Sequence, residues 1–319
     1  MIAKHDDLSG IVVDAATLIG LRKTAKEMSL NTRLKSRSSI DGSSRSALRG
    51  RGMEFSEVRH YQPGDDIRNI DWRVTARTQE TYTKLFQEEK ERPVYLLVDQ
   101  RQPMFFGSKL QFKSVLAAKA AAAIAWTAFA NRDRLGAIIF GSHTQSDQRP
   151  KLGKPTLFRF LHELSEFNAL LMQQYQNTNS AEQTQHRLSD MVGELQRVAR
   201  PGSSIFVISD FHDFDDNTTK ALSMLARHND VSLLHVFDPF ESELPDIGTL
   251  SISSGVNKTQ INTSSAQFRH NYVKSWLDTQ TSLKNRTVRA GMHLNQLNTQ
   301  ISFNHQMKAL FGNSRGKRT

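Results

Sequence analysis

From residue 94 onward the chain repeats one pattern: a short apolar run, a helix-length segment, then another short apolar run. The runs fall at residues 94–98, 135–140, 204–209 and 231–237, with a last one at 292–297. Each is short enough for a strand, and 94–98 and 135–140 are continuous rather than alternating, so these two read as strands buried on both faces. The spacing predicts helices over 108–131, 155–174, 182–200, 218–229, 265–286 and 301–311, and a short hairpin of 250–253 with 258–262. Alternation of this kind specifies an α/β fold, a mostly parallel Rossmannoid sheet with helices on both faces. The first 93 residues lack it. They predict a helix over 14–30 capped by Asp14, a loop over 33–52, a turn at Pro63-Gly64 and an edge strand over 81–86. The expected division is an N-terminal appendage, 1–93, and an α/β domain, 94–319.

The length of 319 residues and 38% hydrophobic content allow a sizeable core. There is no cysteine, which excludes disulfides, thiolate metal sites and a cysteine nucleophile. The N-terminus is a poor secretory signal, with acids at Asp6 and Asp7. The longest apolar helix candidate, 117–130, contains Lys119 and falls short of the roughly 20 residues a membrane span needs. These features lead us to expect a soluble, cytoplasmic protein with no transmembrane segment. The net charge of +10 is uneven: between Arg22 and Arg51 nine basic residues face only Glu27 and Asp41, a local excess of +7. Such a Ser/Gly-rich basic stretch reads as a solvated loop, a grip for an acidic partner, or a binder of anionic lipid or nucleic acid. It contains no aromatic residue, so nucleic acid would be held by backbone charge alone, without specificity.

Two places carry candidate chemistry. In a doubly wound sheet ligands bind at the carboxyl ends of the strands where the strand order reverses. With 94–98 as the first strand and 204–209 as its neighbour, Asp99 and Asp210 are expected to face one another there. Two carboxylates so placed suit a divalent cation. The other place is the segment from Arg49 to Arg77, where Glu54, Glu57, Asp65, Asp66 and Asp71 lie among Arg51, Arg59, Arg68, Arg73 and Arg77. Acids and arginines in equal number predict an ion-pair network that fixes the loop. Tyr61 and Trp72 are expected to anchor it by burial. The same residues could instead form a partner-docking face, or, with His60, a metal site.

The arrangement around Asp99 resembles the von Willebrand factor A domain. In that family the first strand ends in Asp-x-Ser-x-Ser, a later loop gives a threonine, and an aspartate follows the fourth strand. Here the sequence is Asp99-Gln100-Arg101-Gln102-Pro103, Asp210 follows a later strand, and Thr156 is the candidate threonine. Arginine and proline stand where the serines would be, so the resemblance implies a degenerate metal site. Arg101 is expected either to reach Asp99 or Asp210 and substitute for the cation, or to lie solvated on its loop. The earlier segment resembles the domain of unknown function 58 family more specifically. It contains Glu54-Phe55, Arg59-x-Tyr61, Pro63-Gly64-Asp65-Asp66, Arg68-x-Ile70-Asp71-Trp72 and Ala76-Arg77, followed by Glu88-Glu89. This resemblance implies an A-like domain working beside MoxR-type AAA+ ATPases and other A-domain proteins.

The expectation is therefore a non-enzymatic adaptor without a cofactor, assisting such an ATPase in assembling or maturing protein complexes. Asp99, Arg101 and Asp210 would mark one docking crevice. Arg59, Tyr61, Asp65, Asp66, Arg68, Asp71, Trp72 and Arg77 would form a second surface. The alternatives are a metal-dependent hydrolase using the Asp99/Asp210 crevice and a polyanion binder using the basic segment. The acidic stretch 210–216 reads as a solvated loop before a helix, and Trp126 as core. The eleven histidines show no metal-ligand spacing, and no phosphate-binding Gly-x-x-x-x-Gly-Lys loop or Gly-x-Ser-x-Gly elbow occurs.

Overall fold

The computed structural model describes residues 10–30, 53–88, 92–176, 186–253 and 258–312. It divides into two units, Lys35–Glu91 and a larger body of Met1–Leu34 with Arg92–Thr319. In the smaller unit strand β1, Met53–His60, pairs antiparallel with β2, Tyr82–Glu88, with a bulge between Phe55 and Glu57. The chain between them turns at Pro63-Gly64 as predicted: Asp65 N donates to Gln62 O at 3.0 Å, and Gly64 has a φ of 107°, which a side chain would strain. A 3-10 turn, Ile67–Asn69, and a helix, Trp72–Thr78, follow.

The body is built on one six-stranded sheet. Its strands are β3 (Val94–Asp99), β4 (Leu135–Phe140), β5 (Gln145–Lys151), β6 (Ser204–Ser209), β7 (Asp230–Phe237) and, after the β8–β9 hairpin (Thr249–Ser253, Lys258–Asn262), β10 (His293–Asn298). The order is β10-β7-β6-β3-β4-β5, all parallel except the edge strand β5. The α/β fold with a mostly parallel sheet is thus as expected. The chain goes from β3 to β4 on one side and later to β6 on the other, so the order reverses between β3 and β6.

Every residue of β3, β4 and β6 is buried, and successive side chains go to opposite faces. Val94, Leu96, Val98, Phe206 and Ile208 join a core formed with helices Lys113–Ala130, Lys154–Gln176 and Phe303–Phe311. Tyr95, Leu97, Ile205 and Val207 join a second core with helices Leu188–Val198 and Asp216–Ala226. The alanine-rich helix Lys113–Ala130 is buried almost all round, and Trp126 is core. Each large apolar side chain so buried contributes roughly 1.5–3 kcal/mol.

Two expectations about the elements need correction. The strand β5 was not anticipated, because Gln145, Ser146, Asp147 and Gln148 carry no apolar alternation; it holds its place by pairing with β4. The N-terminal helix does not belong to an appendage. It forms as two short helices, Ala15–Gly20 and Arg22–Ala25, and Leu18, Ala25 and Met28 enter the first core of the body. Trp126 Nε1 donates to Leu18 O at 3.1 Å, and Ser29 N to Phe311 O at 2.7 Å. The separate unit begins at Lys35, not at residue 1.

Candidate functional site

The register of β3 and β6 decides what meets at the reversal point. Val98 pairs with Ile208, so the next pair brings Asp99 beside Ser209, one residue short of Asp210. A shift of one residue changes the face. Asp99 and Ser209 point to the second core, and Ser209 Oγ donates to Asp99 Oδ2 at 2.6 Å. Gln100 and Asp210 turn to the first core. There Gln100 Nε2 donates to Ser114 O, and Lys113 Nζ to Asp210 Oδ2 at 2.8 Å. The two aspartates therefore end in different ion pairs, and His212 stands between them, its Nδ1 2.9 Å from Asp210 and 3.9 Å from Asp213, the second partner of Arg101.

Arg101 holds the Asp99 side. Its Nε and Nη2 donate to Asp99 Oδ1 and Oδ2 at 3.0 and 2.7 Å. Its Nη2 and Nη1 also donate to Asp213 Oδ1 and Oδ2 at 2.9 and 2.6 Å, and Nη1 to His186 O at 3.2 Å. All five N–H bonds of the guanidinium thus have acceptors. The side chain is 4% exposed and lies over the Phe140 ring, 5.1 Å from its centre. Burial works against its charge, but Asp213 and Asp99 outweigh burial and raise its pKa. Asp213, also accepting from Leu188 N, is held below the usual carboxylate range: burial opposes this and Arg101 overcomes it. The expected partner of Arg101 was Asp99 or Asp210; Asp99 is one partner, and the other is Asp213.

Lys113 holds the Asp210 side. It is the first residue of the alanine-rich helix, 2% exposed, and bridges Asp210 and Glu241, the latter at 2.6 Å. Burial opposes its charge, and the two carboxylates raise its pKa in spite of it. His212 Nδ1 donates to the other oxygen of Asp210 at 2.9 Å. This hydrogen bond raises the imidazole pKa. Burial pushes Asp210 up, but Lys113 and His212 pull it well below the ordinary range. Glu241 also closes a capping box with Asp238 at the turn after β7.

Beside this second pair an open cleft of 410 Å³ runs between the loop after β6 and helix Ala266–Arg289. Its walls include Phe211, Phe214, His235, Trp276, Glu241 and Asp278. His235 lies under that wall, 3% exposed, and burial lowers its pKa to about 4. Thr156 is far from all of this. It sits beside Lys151, which pairs with the first residue of β4, so it lies toward the amino ends of the parallel strands and cannot join Asp99. Lys113 and Glu241 escaped the sequence reading, and Asp210 and Asp213, in the stretch read as a solvated loop, are instead held by Lys113 and Arg101. The lysine hid at the head of one helix and Glu241 in the one-turn helix Pro239–Ser242, and only the face on which Asp210 emerges could have pointed to Lys113.

Among the described residues of the smaller unit the expected network shows one acid–arginine pair; Arg51 and the side chains of Glu54 and Glu57 lie outside the described residues. Arg59 pairs with Asp65 at 2.7 Å, and Lys84 with Asp71 at 3.4 Å. The acids chiefly serve backbone turns. Asp65 accepts from Gln62 N, Asp66 from Arg68 N, and Asp71 from Arg73 N and Val74 N. Those amides, opposed by some burial, lower the pKa of Asp65 and Asp71, with Arg59 and Lys84 assisting. Among the described residues no carboxylate lies within ion-pair distance of Arg68, Arg73 or Arg77. Trp72 is 69% and Ile67 67% exposed, so Trp72 is no buried anchor, while Tyr61 is half-buried. Trp72 is the first residue of a helix capped by Asp71. Arg49, Arg51 and most of the basic segment lie outside the described residues, as do Arg315, Lys317 and Arg318. Among the described residues no cluster of three metal-ligating side chains exists, and no helix is long and apolar enough to cross a membrane.

A family model described as protein of unknown function DUF58 matches residues 57–282. The uncharacterized proteins Rv1480 of Mycobacterium tuberculosis and Mb1516 of Mycobacterium bovis are each 29% identical over 228 residues, 72% of this chain and 68% of theirs. The uncharacterized protein YeaD of Bacillus subtilis is 39% identical over 44 residues, 14% of this chain and 11% of its own length. Among solved structures, that of the conserved hypothetical protein BatB from Bacteroides thetaiotaomicron aligns with a TM-score of 0.43 and 14% identity, over 69% of this chain and 95% of that one.

Proposed function

The chain belongs to the protein family of unknown function DUF58, and from that premise we propose that it is a non-enzymatic adaptor working with a MoxR-type AAA+ ATPase. In this reading its body is a von Willebrand A-like domain whose metal position has been taken over by an arginine. The observation that carries it is the closure of Arg101 on Asp99 and Asp213 with every donor engaged. A divalent cation at Asp99 would have to displace a buried guanidinium that already neutralises the site. The site is therefore better suited to holding the strand ends in one fixed arrangement than to metal-assisted hydrolysis. The exposed Ile67 and Trp72, beside Arg68, Arg73 and Arg77, support a second docking face, since tryptophan and arginine dominate binding hot spots.

The test is capture of the ATPase from source-cell extract by the tagged chain, with a slowly hydrolysed ATP analogue present. Wild type should retain a MoxR-type ATPase, and Arg68→Ala with Trp72→Ala should lose it while keeping the wild-type circular dichroism. Equal capture by both would remove the docking face from the proposal. No ATPase with wild type would sink the adaptor reading.

A further inference from the structure

The cleft beside Asp210 has a composition the ion pairs do not explain. One wall carries the rings of Phe211, His235 and Trp276, with Phe237 packed behind them: Phe211 lies 6.1 Å from His235, His235 stacks on Phe237 at 5.6 Å, and Phe237 lies 5.8 Å from Trp276. Among its charged groups the carboxylates outnumber the cations. Asp210 and Glu241 are met by Lys113 and, at Asp210, by the His212 imidazole, while Asp278 is exposed with no ion pair among the described residues, so three carboxylates face two cationic groups. The cleft thus carries an acidic excess in a chain whose net charge is +10. Finally, His235, 97% of it out of solvent, leaves Nδ1 without a hydrogen bond. A buried polar atom in that state costs roughly 1–3 kcal/mol, and a ligand that reaches it recovers the cost.

We propose that this cleft is a pocket for an arginine side chain presented by a partner protein. The inference rests on the adaptor reading and adds to it the chemistry by which a partner is recognised. A guanidinium matches the walls in three ways. Its flat face stacks on aromatic rings such as Trp276 and Phe214. Its charge answers the carboxylates of Asp278 and Glu241. Its several donors can serve more than one acceptor at once, the imidazole nitrogen of His235 included. An ammonium has no flat face to stack, and a bare metal ion gains little from a wall of phenyl and indole rings. The volume of 410 Å³ admits one long side chain with the backbone that bears it.

The experiment is a titration of the full ¹⁵N-labelled chain with acetyl-arginine amide and, separately, with acetyl-citrulline amide, the neutral molecule of the same shape. The indole N–H of Trp276 is the reporter. The arginine probe should shift it saturably, and citrulline should bind at least about tenfold more weakly. Asp278→Asn, at an exposed helix position that leaves folding intact, should weaken the arginine probe several-fold, and added salt should do the same. Equal binding of citrulline, an unchanged affinity in Asp278→Asn, or shifts confined to another part of the chain would each overturn the pocket. The two readings fail separately. A chain that captures the ATPase but ignores arginine loses the pocket alone, and one that binds arginine in this cleft but captures no ATPase loses the adaptor role.

Discussion

Arg101 is worth more to this molecule for what it neutralises than for what it packs. Arg101→Ala leaves Asp99 buried with only Ser209 and backbone amide donors, and Asp213 without its cation. Breaking a buried pair in this way costs about 3–5 kcal/mol. We expect that loss in urea unfolding, with only part of it restored by Arg101→Lys, because an ammonium cannot grip two carboxylates edge-on. Arg101→Ser with Pro103→Ser should bring a rise in melting temperature on adding Mg²⁺ that wild type does not show; an unresponsive double variant would count against an internal counter-ion. His235 gives a pH prediction. Its folded pKa of about 4 lies below the ordinary 6.5. Above pH 6.5 it contributes nothing. As pH falls from 6.5 to 4 the unfolded chain takes up a proton the folded one refuses, at about 1.4 kcal/mol per unit, or about 3 kcal/mol in all. His212 has the opposite sign: its raised pKa adds stability below 6.5 that is lost as pH rises through the folded value. His235→Phe should flatten the acid-side loss, and equal slopes in variant and wild type would exclude this origin.

At the level of elements, the segment from Tyr61 to Thr78 separates two jobs that look alike in sequence. Asp71 serves its helix by accepting from Arg73 and Val74 amides. Trp72, one residue on, faces solvent. Asp71→Ala should cost the small unit about 1 kcal/mol and speed amide exchange in 72–78. Trp72→Ala should change stability by less than about 0.5 kcal/mol. A large loss from Trp72→Ala would show that the indole supports the fold. The sequence shows five acids among five arginines but not which acids go to backbone amides. The turn at Pro63-Gly64 was legible because proline and glycine restrict the backbone directly. The strand β5 was not, because its support comes from a neighbour and its own residues are polar. Asp213 was equally hidden, since it lies 112 residues from Arg101 and only the folded chain joins them.

On the scale of the whole molecule, apolar runs spaced by helices were enough to specify the sheet, its parallel sense and the place where its order reverses. They could not set the register, and one residue of register sends Asp210 to Lys113 instead of to Asp99. Nor could they place residues 10–30, whose apolar spacing fits any helix on any surface. Their burial gives a last prediction. Leu18→Ala should lower the stability of the entire body by about 2–5 kcal/mol, read as protection lost in β3 and β6 together, whereas an appendage would unfold by itself. The crevice also differs from a metal-holding one in how it comes into being. A metal must be acquired, can be stripped or exchanged, and makes its site answer to the ions around it. A guanidinium arrives with the polypeptide. The site is complete as soon as the chain folds and keeps its charge through any change in ionic supply.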